Sequence, residues 1–126
     1  MRLIVANAIF ILSGSAFAVS GLSFADAKKI WEGSKDKKEY QGYSSEFVQF
    51  NNRLQLDTKD GCYALGKDPV ELMLVITRTN NEKFAVVGQV LADTDSAKAR
   101  CFKKSYNGVS TKIPPFVPFV LHMTMG

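Results

Sequence analysis

The first eighteen residues constrain the fold most, because they set which residues remain to fold and in what redox environment. Met1-Arg2 gives a short basic start, and Leu3 to Leu12 is an apolar run broken only by Asn7. Ser13-Gly14-Ser15 ends the run, and Ala16-Phe17-Ala18 supplies the small-x-small pattern read by signal peptidase. This is the three-part pattern of a secretory signal peptide. Its apolar stretch of about ten residues is half of the roughly 20 that a membrane-spanning helix needs. Cleavage after Ala18 leaves residues 19–126, while a second small-x-small site at Ser23-Phe24-Ala25 would start the mature chain at Asp26. The remaining length supports one domain with a single modest core. The expected destination is the periplasm of a Gram-negative envelope. No later apolar run approaches spanning length and no cysteine follows the leader to accept a lipid, so no membrane insertion is expected after cleavage.

An oxidising destination gives the two cysteines, Cys62 and Cys101, a meaning. An even count there predicts a disulfide. The loop it closes is worth about 4 kcal/mol in the chain-entropy model. A catalytic thiol would need a CxxC partner or a nearby activating histidine, and the chain has a single histidine, His122. The formal charge of the whole chain is +4, and loss of Arg2 with the leader lowers it by one. Lys28, Lys29, Lys35, Lys37 and Lys38 gather near the mature start, but Asp26, Glu32, Asp36 and Glu39 are interleaved with them. That mixture predicts a solvated helix face, not a surface for nucleic acid or anionic lipid.

Residues 27–54 read as two helices, the first capped by Asp26 and ending at Gly33-Ser34. In the second, Tyr40, Tyr43, Phe47, Phe50 and Leu54 recur at alternating spacings of three and four, which makes a buried stripe. Turn-forming residues dominate 57–69 and predict a loop around Cys62-Tyr63. Val70 to Ile76 alternates as a strand, with Leu72, Leu74 and Ile76 on one face and Glu71, Met73 and Val75 on the other. Asn80-Asn81 suits a turn with positive backbone angles, and Phe84 to Val90 reads as the return strand, interrupted by Gly88. Asp93 or Asp95 can cap a helix running to about Tyr106, with Gly108 stopping it. Ala97, Cys101, Phe102 and Ser105 are expected to face inward, and Lys98, Arg100, Lys103 and Lys104 to face water. Prolines 114, 115 and 118 lead into a final strand, Val117 to Met125. The expected fold is α+β: two N-terminal helices, then a β-β-α-β unit, with helices on one face of a small antiparallel sheet.

Residues 62–126 resemble the C-terminal domains of the periplasmic proteins TonB and, more closely, TolA. The resemblance is carried by a cysteine before "VELMLVI", a polar turn "TRTNNEKF" and a second strand "AVVGQVL". A cysteine-bearing helix "DSAKARCFKKSY" and the proline-rich entry "IPPF" into the last strand complete it. The resemblance implies a Cys pair bonded across the same two elements and partner capture by pairing of a peptide strand with an open sheet edge. It does not extend to the helical part 27–54. The anchor and long spacer of those proteins are missing between leader and domain, so force transmission is not implied.

No GxSxG, HExxH or glycine-rich phosphate loop is present, so no catalytic residue, cofactor or metal ligand is assigned. A lone His122 makes neither a metal site nor a triad, and Asp57 with Asp60 lacks the spacing of a calcium loop. The expected role is a non-catalytic adaptor binding a protein partner in the envelope. Phe119, Val120, Leu121, His122 and Met123 are expected to form its partner-binding edge, because the prolines before them deny a ladder its donors. One alternative is a small hydrolase or carbohydrate-active protein using Glu46, Asp57 or Asp60 beside the aromatic helix, with two carboxylates about 5–10 Å apart across a cleft. Another is an immunity or inhibitor protein.

Overall fold

The computed structural model describes residues 21–54 and 58–126. The expected leader, with Ala16 and Ala18, lies outside the described residues, as do Asp57 and the side chains of Phe50, Leu54 and Asp60. The fold is α+β with an antiparallel sheet, as the alternation patterns require. In chain order the elements are α1 (Phe24–Ser34), α2 (Lys38–Leu54), α3 (Thr58–Tyr63), β1 (Val70–Arg78) and β2 (Ala85–Ala92). These are followed by α4 (Ala97–Tyr106), β3 (Ser110–Thr111) and β4 (Phe119–Met125). The strand order is β3-β2-β1-β4, so β1 and β2 lie centrally and β3 and β4 form the edges.

β1 is buried along almost its whole length because both faces of the sheet are covered. Leu72, Leu74 and Ile76 pack with Phe119, Leu121, Val87, Val90, Phe102 and Tyr106 beneath α2, α3 and α4. Met73, Val75 and Val120 form a second core with Ala27, Leu22, Phe24 and Ile30 around α1. Helices therefore lie on both faces, which corrects the one-faced arrangement. Met73 and Val75 carried the signal for it, since a solvent-facing strand row would be polar.

Several local expectations also change. Ser23 caps α1 by accepting a hydrogen bond from the Asp26 N–H at 3.1 Å, and Asp26 sits inside the first turn. Ser96 caps α4, its hydroxyl accepting from Ala99 N–H at 3.1 Å. Asp93 instead accepts from Glu71 N–H at 3.0 Å and braces β1 against the end of β2. The 57–69 loop contains the short helix α3. Its hold on the fold is the disulfide between Cys62 and Cys101 in α4, with Cα atoms 5.4 Å apart. The hairpin turn contains no positive-φ residue. Asn81 N–H donates to the Thr79 hydroxyl and Lys83 N–H to Asn81 Oδ1, so side chains close the loop. β4 begins at Phe119, and Val117 is 61% exposed before it.

In α4 Phe102 is buried as expected and Cys101 and Ser105 are half-buried, but Ala97 is exposed and Lys98, Ala99 and Tyr106 complete the inward face. Lys98 is 2% exposed. It lays its alkyl stem across the core edge and donates from Nζ to the Asp68 carbonyl at 2.9 Å, over the Tyr63 ring. Two glycines serve the backbone. At Gly88, beside the register shift of β1 and β2, a Cβ would stand 2.2 Å from Thr77 Oγ1. Gly108 takes φ of +84° and ends α4.

Candidate functional site

The stripe on α2 builds the main concavity. Tyr40, Tyr43 and Phe47 turn inward, and Phe119 at the start of β4 stacks against Tyr40 at 5.3 Å and tilts against Tyr43 at 4.6 Å. The Tyr43 hydroxyl donates to the Lys112 carbonyl and lies 3.1 Å from Thr111 Oγ1, which fastens α2 to the outer strand β3. Burial pushes the Tyr43 hydroxyl above the usual tyrosine range, helped by the negative charge of Glu46 and opposed by the Thr111 hydrogen bond.

The sheet ends at β3, but α2 carries Glu46 and Phe47 beyond the point where Tyr43 is fastened. A cleft of about 530 Å³ remains between α2, the hairpin residues Lys83 and Phe84, and Ser110 to Lys112. Phe84 is 38% exposed on its wall, and the Glu46–Lys112 ion pair (2.8 Å) borders it. Register fixes what the neighbouring edge offers. Ala85 opposes Thr111, and Val87 bonds through both its N–H and its carbonyl to Val109 and Gly108. By alternation Thr111 faces β2, which leaves the N–H and carbonyl of Ser110 directed outward. An extended chain laid beside β3 would bond to Ser110 and cover the aromatic cleft.

The other edge is furnished differently. All five residues of the expected partner-binding edge, Phe119 to Met123, lie on β4, which pairs with β1 and has no strand beyond it among the described residues. Yet Val120 is fully buried under α1, and Phe119 and Leu121 lie in the opposite core. The outward N–H of His122 already donates to the Tyr40 hydroxyl at 3.3 Å. Burial holds that hydroxyl above the usual tyrosine range against the opposing effect of this hydrogen bond. The side chains expected to select a partner are thus engaged inside the fold.

His122 is not isolated. Its Nε2 lies 2.7 Å from Glu71 Oε2, and Trp31 of α1 stacks on the imidazole at 4.2 Å. Lys28 Nζ approaches the same carboxylate oxygen at 3.5 Å. This cluster joins α1, β1 and β4, and among the described residues no hydroxyl or thiol side chain hydrogen-bonds to the imidazole. Its chemistry is that of a clamp holding α1 on the sheet. Sequence reading missed it because the partners are 51 positions apart. The available signal was that Glu71 and His122 each interrupt an apolar run, in β1 and in β4.

Among the described residues no group of three His, Cys, Asp or Glu side chains is placed to hold a metal ion. Of the carboxylates named for a hydrolase, Glu46 alone has a described side chain. It lines the cleft already paired with Lys112. No described helix is long and apolar enough to cross a membrane. No protein-family model, curated protein or solved structure matches the chain.

Proposed function

We propose that this chain is exported by its leader, cleaved after Ala18, and acts in the periplasm as a non-catalytic adaptor. In this reading it captures an extended segment of an envelope protein. Cleavage after Ala18 rather than Ala25 is supported by the start of α1. Ser23 is its cap, Leu22 and Phe24 pack on the second core, and the Leu22 carbonyl accepts from Gln89 Nε2 at 2.9 Å. A cut after Ala25 would remove all three residues. The order hairpin, cysteine-bearing helix, proline-rich entry and final strand supports the TonB/TolA-like reading and its mode of capture by strand pairing.

One observation carries the binding assignment: the aromatic cleft of Tyr43, Phe47 and Phe84 lies beside the outward backbone of Ser110. The backbone would supply affinity, and the cleft would select an apolar anchor residue. In this reading the capture edge is β3 instead of the expected β4. The test is a photoreactive residue at position 84 in cells carrying the full chain. It should yield one discrete protein adduct that excess unlabelled wild-type protein abolishes and Phe84→Ser protein does not. Equal competition by folded Phe84→Ser protein would remove the cleft from the binding site.

A further inference from the structure

A second surface on the same side of the sheet has its own chemistry. β3 pairs with β2 only at Ala85 and Val86, and the Gly108-Val109 turn takes the backbone of Val87. From Gly88 to Val90, β2 has no strand outside it among the described residues. Alternation against β1 directs Gln89 and Leu91 inward to β1 and leaves the N–H and carbonyl of Val90 facing outward. Alongside runs α4, and Arg100, Lys103, Lys104 and Asn107 follow one another at i, i+3, i+4 and i+7 on the face beside this open edge. Together they line a groove of about 430 Å³ with no acidic side chain among its lining residues. Arg100 is tied at the far end to the Asp95 carbonyl and carboxylate. Lys103 and Lys104 make no ion pair among the described residues.

The open edge runs beside part of the basic row: seven helical steps from Arg100 to Asn107 rise about 10 Å, and the two strand steps from Gly88 to Val90 about 7 Å. Alternate residues of a strand point to one face roughly 6–7 Å apart. That is close to the separation of neighbouring side chains on one helix face, about 5–6 Å. A strand added along Gly88–Val90 would therefore present every second side chain to the basic row.

We infer that this groove receives an extended acidic segment of a partner protein, with Asp or Glu at alternate positions, paired by its backbone to the open edge of β2. The inference rests on the adaptor reading but not on the cleft at β3, from which it is separated by the Gly108-Val109 turn. The backbone bonds fix the segment in place, and Lys103, Lys104 and Arg100 select its charge.

The probe is a labelled, N-acetylated six-residue peptide alternating valine and glutamate, titrated by fluorescence anisotropy against the oxidised protein. Three controls accompany it: a glutamine analogue, an analogue N-methylated on alternate backbone amides, and protein carrying Lys103→Glu with Lys104→Glu. Each should weaken binding at least tenfold, and added salt should weaken the parent peptide steadily. Phe84→Ser should leave this affinity unchanged, so failure of the cleft and failure of the groove are read separately. Equal binding of the N-methylated peptide would overturn strand pairing, and equal binding by the folded double lysine variant would overturn the site. Binding of heparin with no binding of the peptide would assign the groove to an anionic polysaccharide and refute the inference.

Discussion

Replacing both Cys62 and Cys101 by Ala tests how much of this small domain depends on a constraint outside its core. The two residues are 39 positions apart, and the loop between them contains β1, the hairpin turn and β2. Cross-linking therefore restricts the unfolded chain across the two central strands of the sheet. For a loop of this length the chain-entropy model gives about 13 cal/mol/K, or about 4 kcal/mol at room temperature. Against a total of about 5–15 kcal/mol for a domain, that is a large share. Exposed ion pairs such as Glu46–Lys112 contribute about 0–1 kcal/mol and do not replace it. Urea unfolding followed by circular dichroism is the assay. With a slope of about 2 kcal/mol/M, the midpoint of the double variant should fall by about 2 M. Because the bond acts on the unfolded chain, the slope should also rise as that chain expands. A loss below about 1 kcal/mol would refute the reasoning. A full loss at unchanged slope would shift its origin to native contacts of the fully buried Cys62.

Two further outcomes follow from the ends of the described fold and from its tyrosines. Mass spectrometry of exported protein should find Val19 as the first residue. A chain made to begin at Asp26 should lose at least the roughly 1 kcal/mol of the Ser23 cap, read as a lower urea midpoint. Tyr40 and Tyr43 have folded-state pKa values above the unfolded value of about 10, because burial favours the neutral phenol. The folded state then holds protons that the unfolded state releases, so their contribution to stability is constant below pH about 10 and is lost as pH rises through the folded values. Tyrosinate absorbance of wild type compared with Tyr40→Phe and Tyr43→Phe should show that these two phenols ionise above the usual tyrosine range, and their ionisation within that range would contradict the burial.

What the sequence carried plainly was whatever one short segment could express alone. Leu72, Leu74 and Ile76 announce β1 because a period of two needs no knowledge of neighbours, and Tyr40, Tyr43 and Phe47 announce α2 in the same way. Gly108 ends α4 as its backbone freedom requires. What failed depends on residues far apart. Lys98 reads as solvent-facing because its charge is local, while the Asp68 carbonyl that receives its ammonium lies 30 positions away. β3, two residues long, has no periodicity to read, yet it sets where the sheet stops and so creates the cleft. The final strand shows how one feature misleads when its surroundings are unknown. Prolines 114, 115 and 118 indicated an edge, and β4 is one. The spare N–H of His122 nevertheless meets Tyr40 across 82 positions, while Val120 faces Ala27 of a helix that the alternation of β4 alone could not place. An edge position follows from the chain's own chemistry. Whether that edge is open is decided by whichever helix folds across it, and here α1 and α2 close over β4. At the other edge Tyr43 ties α2 to Thr111 and Lys112 and, among the described residues, leaves the outward backbone of Ser110 and Val90 uncovered.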